Sequence, residues 1–488
     1  MFLFCHRFSE LAICFFCENR KKNAENVKRT KILKRCTFIL KHRFIFACLF
    51  FAGCSFISAE SSKAPLISST SSIDWSKALF TSDVSLNTEK AGINMPSGKN
   101  LATNIVETDL PTLIKDPLLS LYVNSYQQLG DLVLDETVTL EQLSQIIDEG
   151  RKSPGVFSNG TLTLKMTHSM NLLEISSLMI KHHVPYKNAK PIEQVSSRSY
   201  TGIIIDARGA LPVQGEFVSD EVYPCFFPQI WDEKMNLIYE RNMGDPELEK
   251  KQGMLHYDWS DDEEKYQDRI GVDPMHIRAR KVYGELRTDP VISRNDALKI
   301  LTVPENLRLL REGKVVVLLD KENLIHPVSA PEKTASYYTA IRKIKQHLEN
   351  NPDDGTKVQD TYKGVAVLSD LKFVADSAQL LPTELPRIKA IAVELKELLA
   401  SGDYTILVEG HTADVHKPEG QMKLSVERTQ TIIQELVKNG LPRSIFTYKG
   451  YGGNVPIASN DTAAGRAANR RVVITARPSK MTYTQTKD

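Results

Sequence analysis

Beyond position 54 this chain of 488 residues has a single cysteine, Cys225, because the other six, Cys5, Cys14, Cys17, Cys36, Cys48 and Cys54, stand at or before that point. An internal disulfide and a cysteine-based metal site are therefore excluded for everything that follows Cys54. Long hydrophobic runs are also missing. The best one, Phe44 to Gly53, is about half of the roughly 20 residues that a membrane-spanning helix needs. Nor is there a charge excess to attract nucleic acid. Of 62 basic and 60 acidic residues, 11 and 3 lie before Cys54, which leaves 51 against 57 and a mildly acidic remainder. Gly-x-Ser-x-Gly and His-Glu-x-x-His are absent, and no carboxylate pair has a spacing that suggests hydrolysis. An enzyme is not expected, and neither a cofactor nor a metal is called for.

What is present at the N-terminus has the layout of an export signal. Lys28, Arg29, Lys31, Lys34, Arg35, Lys41 and Arg43 precede the apolar run, and small residues follow it. Phe51-Ala-Gly-Cys54 resembles a lipobox, which implies a lipid-modified Cys54 as the first mature residue. Cleavage after Ala59, at Ile57-Ser-Ala59, is the other reading. The serines from Ser55 to Ser72 are expected to act as a flexible tether. Secretory signals run about 15 to 30 residues, so the segment ahead of Ile32 suggests initiation near Ile32 or Leu33.

The expected layout is a leader over 1–53, a Ser-rich tether over 54–100, a mostly helical domain over 101–197 and an α/β domain over 198–330. A linker helix and loop over 331–357, a C-terminal domain over 358–478 and a tail over 479–488 complete it. In the first domain, helices are expected at Leu110 to Leu134, Leu140 to Glu149 and Met170 to Ile180, with a strand at Thr161 to Met166. In the second, Gly202-Ile-Ile-Ile-Asp-Ala-Arg-Gly209 reads as a buried strand entering a turn, Val315-Val-Val-Leu-Leu-Asp320 as another, and Ser293 as a helix cap. Those two runs resemble the twenty-kilodalton lipoprotein-antigen domain, which implies a small α/β unit without known catalysis. Asp206 and Arg208 read as a structural ion pair. The acids Asp258, Asp261, Asp262, Glu263 and Glu264 lack EF-hand spacing and read as a solvated loop. Tyr337, Tyr338, Ile341, Ile344 and Leu348 form a packing stripe.

The region from 358 to 478 carries the most specific pattern. Ile388, Ile391, Leu395 and Leu398 recur as one face of a helix, and Tyr404 to Glu409 alternates as a half-buried strand. A helix is expected from an N-cap at Ser425 to a C-cap at Gly440, with strands at Ile445 to Lys449 and Arg471 to Thr475. Strand, helix, strand, helix, strand gives two helices on a small mixed sheet, an α/β (α+β) fold within a multidomain chain. Leu371-Lys-Phe-Val-Ala-Asp-Ser-Ala-Gln-Leu-Leu-Pro382, Gly410-His-Thr-Ala-Asp414, Leu424-Ser-Val-Glu-Arg428, Lys449-Gly-Tyr-Gly452 and Asn469-Arg-Arg-Val472, in that order, resemble the OmpA-like domain.

This resemblance implies a periplasmic protein of a diderm bacterium, lipid-anchored to the outer membrane and gripping peptidoglycan without breaking it. In the family one Asp after Gly-His-Thr meets the ammonium of a diamino acid in the stem peptide, and one Arg after Leu-Ser meets its carboxylate. The chemistry suits a zwitterion, which needs an acceptor-only anion and a forked donor. Carried over, Arg428 holds the carboxylate, with Thr412, Gln421 and Arg471 beside it. Ala413 occupies the place of the acid, and Asp414, one residue late, is the group expected to swing in and meet the ammonium in its stead. A scaffold that keeps this fold but binds an altered ligand or an envelope protein is the alternative reading.

Overall fold

Alternation, rather than composition, decides what residues 67–87 become. The computed structural model describes residues 65–487 apart from 95–96, 159–161, 188–190, 350–355 and 416. The leader, Cys54, Ala59 and the first part of the expected tether lie outside the described residues. The rest of that tether is ordered sheet: β1 (Ile67–Asp74) pairs along its whole length with β2 (Leu79–Asn87). Ile67, Ser69, Ser71 and Ile73 face inward in strict alternation. Of the inward serines, Ser71 pairs its hydroxyl with Ser82 at 2.8 Å, while the Ser69 hydroxyl is buried without a partner among the described residues; off the buried face, Ser68 pairs with Ser85 at 2.8 Å. Ladder pairing with β2, rather than serine content, decides the conformation here.

β2 pairs in turn with β3 (Thr163–Asn171), and the other edge of β1 takes two segments from far along the chain, Ile325–Val328 and Thr484–Lys487. The tail expected over 479–488 thus returns to close the first sheet. Helix α1 (Lys99–Leu119) packs on β1 and β2. The long helix expected from Leu110 to Leu134 is two pieces, because α1 starts earlier and ends at Ser120, and a short helix, Leu129–Leu134, follows. Leu140–Glu149 forms as expected, with Thr139 and Gln142 capping each other's backbone N–H at 3.2 and 3.0 Å.

The next unit is built on four parallel strands, β4 (Ile203–Asp206), β5 (His256–Asp258), β6 (Met275–Arg278) and β7 (Val315–Leu318), in the order β5-β7-β4-β6. Both expected buried strands are there. Arg208 donates twice to Asp206, at 2.9 Å each, and reaches Asp261 at 2.7 Å. Asp258 accepts from the backbone of Trp259 and Ser260, so two of the five clustered acids serve the local chain. Ser293 caps its helix by accepting from the Asp296 N–H.

One residue of this unit is placed against its solvation. Glu249 is 1% exposed, both carboxyl oxygens meet no partner among the described residues, and burial pushes its pKa up to about 8 despite Arg241 nearby. Between its ordinary value near 4.5 and about 8, the folded chain keeps a proton that the unfolded chain has lost, so stability falls as pH rises through that window. Glu249→Gln is expected to remove that contribution. Melting temperatures of both proteins at pH 5 and pH 8 check this, and an equal decline in the two would refute it.

The C-terminal sheet has five strands: β8 (Thr356–Thr361), β9 (Gly364–Ser369), β10 (Tyr404–His411), β11 (Phe446–Gly452) and β12 (Val472–Pro478), ordered β8-β9-β12-β10-β11. Only β10 and β11 are parallel. Three helices share its core, α2 (Ala335–Glu349), α3 (Leu385–Ala400) and α4 (Pro418–Lys438). The helix expected as a linker is therefore part of the domain's interior, through Tyr337, Ile341, Ile344 and Leu348. Helix α4 begins at Pro418, not at an N-cap on Ser425, since proline supplies a ready first turn. Gly440 ends it at φ +92°, as a left-handed C-cap requires.

Candidate functional site

The expected site lies where β10 and β11 end under the first half of α4. A Cβ on Gly410 would stand 2.5 Å from the Ser425 carbonyl oxygen and 2.7 Å from Thr429 Cγ2, so only glycine lets the helix cross the strand this closely. Gly452, at φ +55°, donates its N–H to Ser425 Oγ at 3.0 Å and accepts from Thr412 N–H at 2.8 Å. Ser425, expected as a cap, is instead the pin between helix and strand. Gly410-His-Thr, Leu424-Ser and Lys449-Gly-Tyr-Gly452 are thus one packing unit that fixes where Arg428 stands, two turns beyond Gln421 on the same helix.

Arg428 is 9% exposed. Its Nε donates to the Ser377 carbonyl at 3.1 Å, and its Cζ lies 4.8 Å above the Phe373 ring. The loop that supplies both groups is held by its own backbone, Val374 N–H to Gln379 O at 2.8 Å and Leu381 N–H to Lys372 O at 3.0 Å. Burial, with the Arg470 guanidinium nearby, lowers the Arg428 pKa, and Asp376 opposes this. Among the described residues no carboxylate comes within ion-pair distance of Arg428 or Arg470, and the terminal nitrogens of Arg428 meet no acceptor, though neither is sealed from solvent. A guanidinium held this way, largely buried but open at its tip, is suited to an anion that arrives from outside.

The other expected residues gather at the loop from Thr412 to Gln421. Ala413 is buried and its carbonyl accepts from Gln421 Nε2, while Lys417 N–H donates to Gln421 Oε1 at 3.1 Å. Gln421 therefore clamps both ends of the loop. Thr412 Oγ1 is buried with no partner among the described residues, as is His411 Nδ1. The His411 ring stacks on Tyr451 at 5.0 Å, and burial, then the Arg471 charge, pushes its pKa down to about 3. Asp414 is half-buried, with its N–H donated to Asn460 Oδ1 at 3.1 Å.

Arg471 is held by the segment after β11. Both its terminal nitrogens lie 3.3 Å from the Val455 carbonyl, and burial lowers its pKa to about 10 against the pull of Glu409. Arg470, its exposed neighbour, is the one that faces Arg428. Asn469 was not singled out as a site residue, yet it is fully buried. It accepts from Ile457 and Ala458 N–H and donates to Asn460 Oδ1 at 2.8 Å, so it sets the group that holds Asp414. The Asn-Arg-Arg signature pointed to it.

Residues 372–470 match the family model described as OmpA family, and the C-terminal part of the chain is an OmpA family domain. Ahead of it, residues 66–178 and 202–321 match models described as the N-terminal and second domains of Treponema pallidum Tp0624. The second of these covers the region expected to resemble the lipoprotein-antigen domain, and the model it matches is the Tp0624 one. Similar proteins include outer membrane porin F of Pseudomonas fluorescens, 37% identical over 108 residues, 22% of this chain and 32% of the porin. The probable lipoprotein YiaD of Escherichia coli is 33% identical over 146 residues, 29% of this chain and 64% of that protein. The peptidoglycan-binding protein ArfA of Mycobacterium tuberculosis is 33% identical over 104 residues, 21% and 31% of the two chains. The chain thus spans between about a third and two thirds of the length of these relatives. Among solved structures, an outer membrane protein of Borrelia burgdorferi is 30% identical over 25% of this chain and 95% of that one, with a TM-score of 0.21.

Proposed function

We propose that this protein is a non-enzymatic tether of the bacterial envelope, anchored by lipid at Cys54, whose OmpA domain holds peptidoglycan by a carboxylate of its stem peptide. The observation that carries the reading is Arg428, nine-tenths buried beside Arg470 with no carboxylate among the described residues within ion-pair distance. Charge-assisted bonds to a guanidinium fork are the strong, directional kind, and the relatives named above for peptidoglycan or as lipoproteins and outer-membrane proteins support the same placement. Arg428 takes the carboxylate. Thr412 offers an unused hydroxyl, and Gln421, Asn469 and Arg471 hold the surrounding loops. One observation favours a scaffold that meets a protein partner instead: Ala413 is buried and carries no acid for an ammonium.

The test is retention of the full chain by purified peptidoglycan sacculi, with free stem peptide as competitor. A peptide with a free terminal carboxylate is expected to displace the chain, and the same peptide amidated at that carboxylate to fail. Sacculi that do not retain the chain would sink the tether and leave the scaffold.

A further inference from the structure

A groove of about 630 Å³ opens between the loop that carries Ser377 and the outer face of α4; Arg428 is not one of its walls and adjoins it through Ser377 and Glu427. Its walls include Asp376, Ser377, Gln379, Glu427, Thr431 and Glu435. Glu427, Thr431 and Glu435 recur every four residues, so they form one stripe down α4, adjacent in sequence to Arg428. Ser377 belongs to both places, since its carbonyl holds Arg428 and its side chain lines the groove. Glu427 and Glu435 have lysine partners on their own helix, Lys423 at 3.9 Å and Lys438 at close range. Asp376 has no ion pair and no hydrogen bond among the described residues, is exposed, and is the acid whose charge reaches Arg428.

Resting on the peptidoglycan reading above, we propose that the acid missing at Ala413 is replaced from the opposite side: Asp376 receives the ammonium of a diamino acid whose carboxylate sits on Arg428, and the ligand's chain lies along the acidic groove of α4. Two independent features converge on it. One is a nine-tenths buried guanidinium with unpartnered terminal nitrogens, and the other is a cavity of ligand size. Asp414 has less claim, because its backbone is tied to Asn460 and it abuts Gly453, where a Cβ would lie 2.8 Å from Asp414 Cα.

The probe is the tripeptide Ala-γ-Glu-Lys, with its ε-ammonium free or acetylated, titrated into the full chain by calorimetry. The free amine is expected to bind about tenfold more tightly than the acetylated form, a difference of about 1.4 kcal/mol. Asp376→Asn, which also tolerates the observed φ of +50°, is expected to abolish that preference and leave the acetylated peptide's affinity unchanged. Asp414→Asn is expected to keep it. Equal binding of the two peptides by the parent chain, or loss of the preference in Asp414→Asn with retention in Asp376→Asn, would overturn the assignment while leaving the carboxylate site in place. Failure of the parent chain to bind either peptide or sacculi would defeat the peptidoglycan reading and this proposal with it.

Discussion

Replacing Arg428 by methionine is expected to weaken retention by sacculi roughly a hundredfold, because two charge-assisted bonds at about 1.5 kcal/mol each amount to two decades of affinity. The same change is expected to cost the fold little. Methionine keeps an unbranched stem against Phe373, and what disappears is a largely buried charge that has no counter-ion among the described residues. Retention and urea midpoint should therefore separate, binding falling while stability stays within about 1 kcal/mol. A parallel loss of both would make Arg428 a structural residue and remove the main support for the site. Arg428→Lys is informative too, since a point charge cannot reproduce the planar fork.

Lys333→Met is expected to lose about 3 to 5 kcal/mol in folding free energy. The Lys333 side chain is 2% exposed and lies 2.9 Å from Asp116 on α1 and 3.1 Å from Asp360 on β8. It also donates to the Thr361 carbonyl at 2.8 Å, and Tyr337 OH donates to the same Asp360 at 2.7 Å. Removing the ammonium strands two carboxylates, one of them 7% exposed, at the junction of the OmpA domain with the N-terminal sheet. Asp116→Asn in the Lys333→Met background should recover part of the loss, measured by urea midpoints. A single-variant shift below about 1 kcal/mol would show that the junction is held elsewhere, through Lys363 with Asp131 at 2.7 Å and Tyr362 with Gln128 at 2.8 Å.

Periodicity made the C-terminal helices legible, and Ile388, Ile391, Leu395 and Leu398 face the core as their spacing required. Gly440 and the Asp206–Arg208 pair were equally readable, because each is a local rule satisfied by near neighbours. What failed depended on partners remote in sequence. Ser71 looks like a linker residue until β2 supplies Ser82. Thr356–Thr361 is a polar edge strand whose pairing with β9 leaves no strong apolar signature. Arg470 and Arg471 illustrate the sharpest limit: at the start of a strand, neighbouring side chains take opposite sides, so one position decides which guanidinium meets Arg428. Ala413 showed in the sequence that an acid was missing. The groove beside α4, and with it the candidacy of Asp376, could be seen only in the fold.

The return of the C-terminal strand to β1 bears on force. Tension that enters the chain ahead of Ile67 pulls β1 along its own axis, and the ladder bonds on both edges lie across that pull. They must shear together, to β2 on one side and to Ile325–Val328 and Thr484–Lys487 on the other. The last of these follows β12 by only a few residues. A load applied at the N-terminus is thereby handed directly to the OmpA sheet, without passing through the parallel-stranded unit between them.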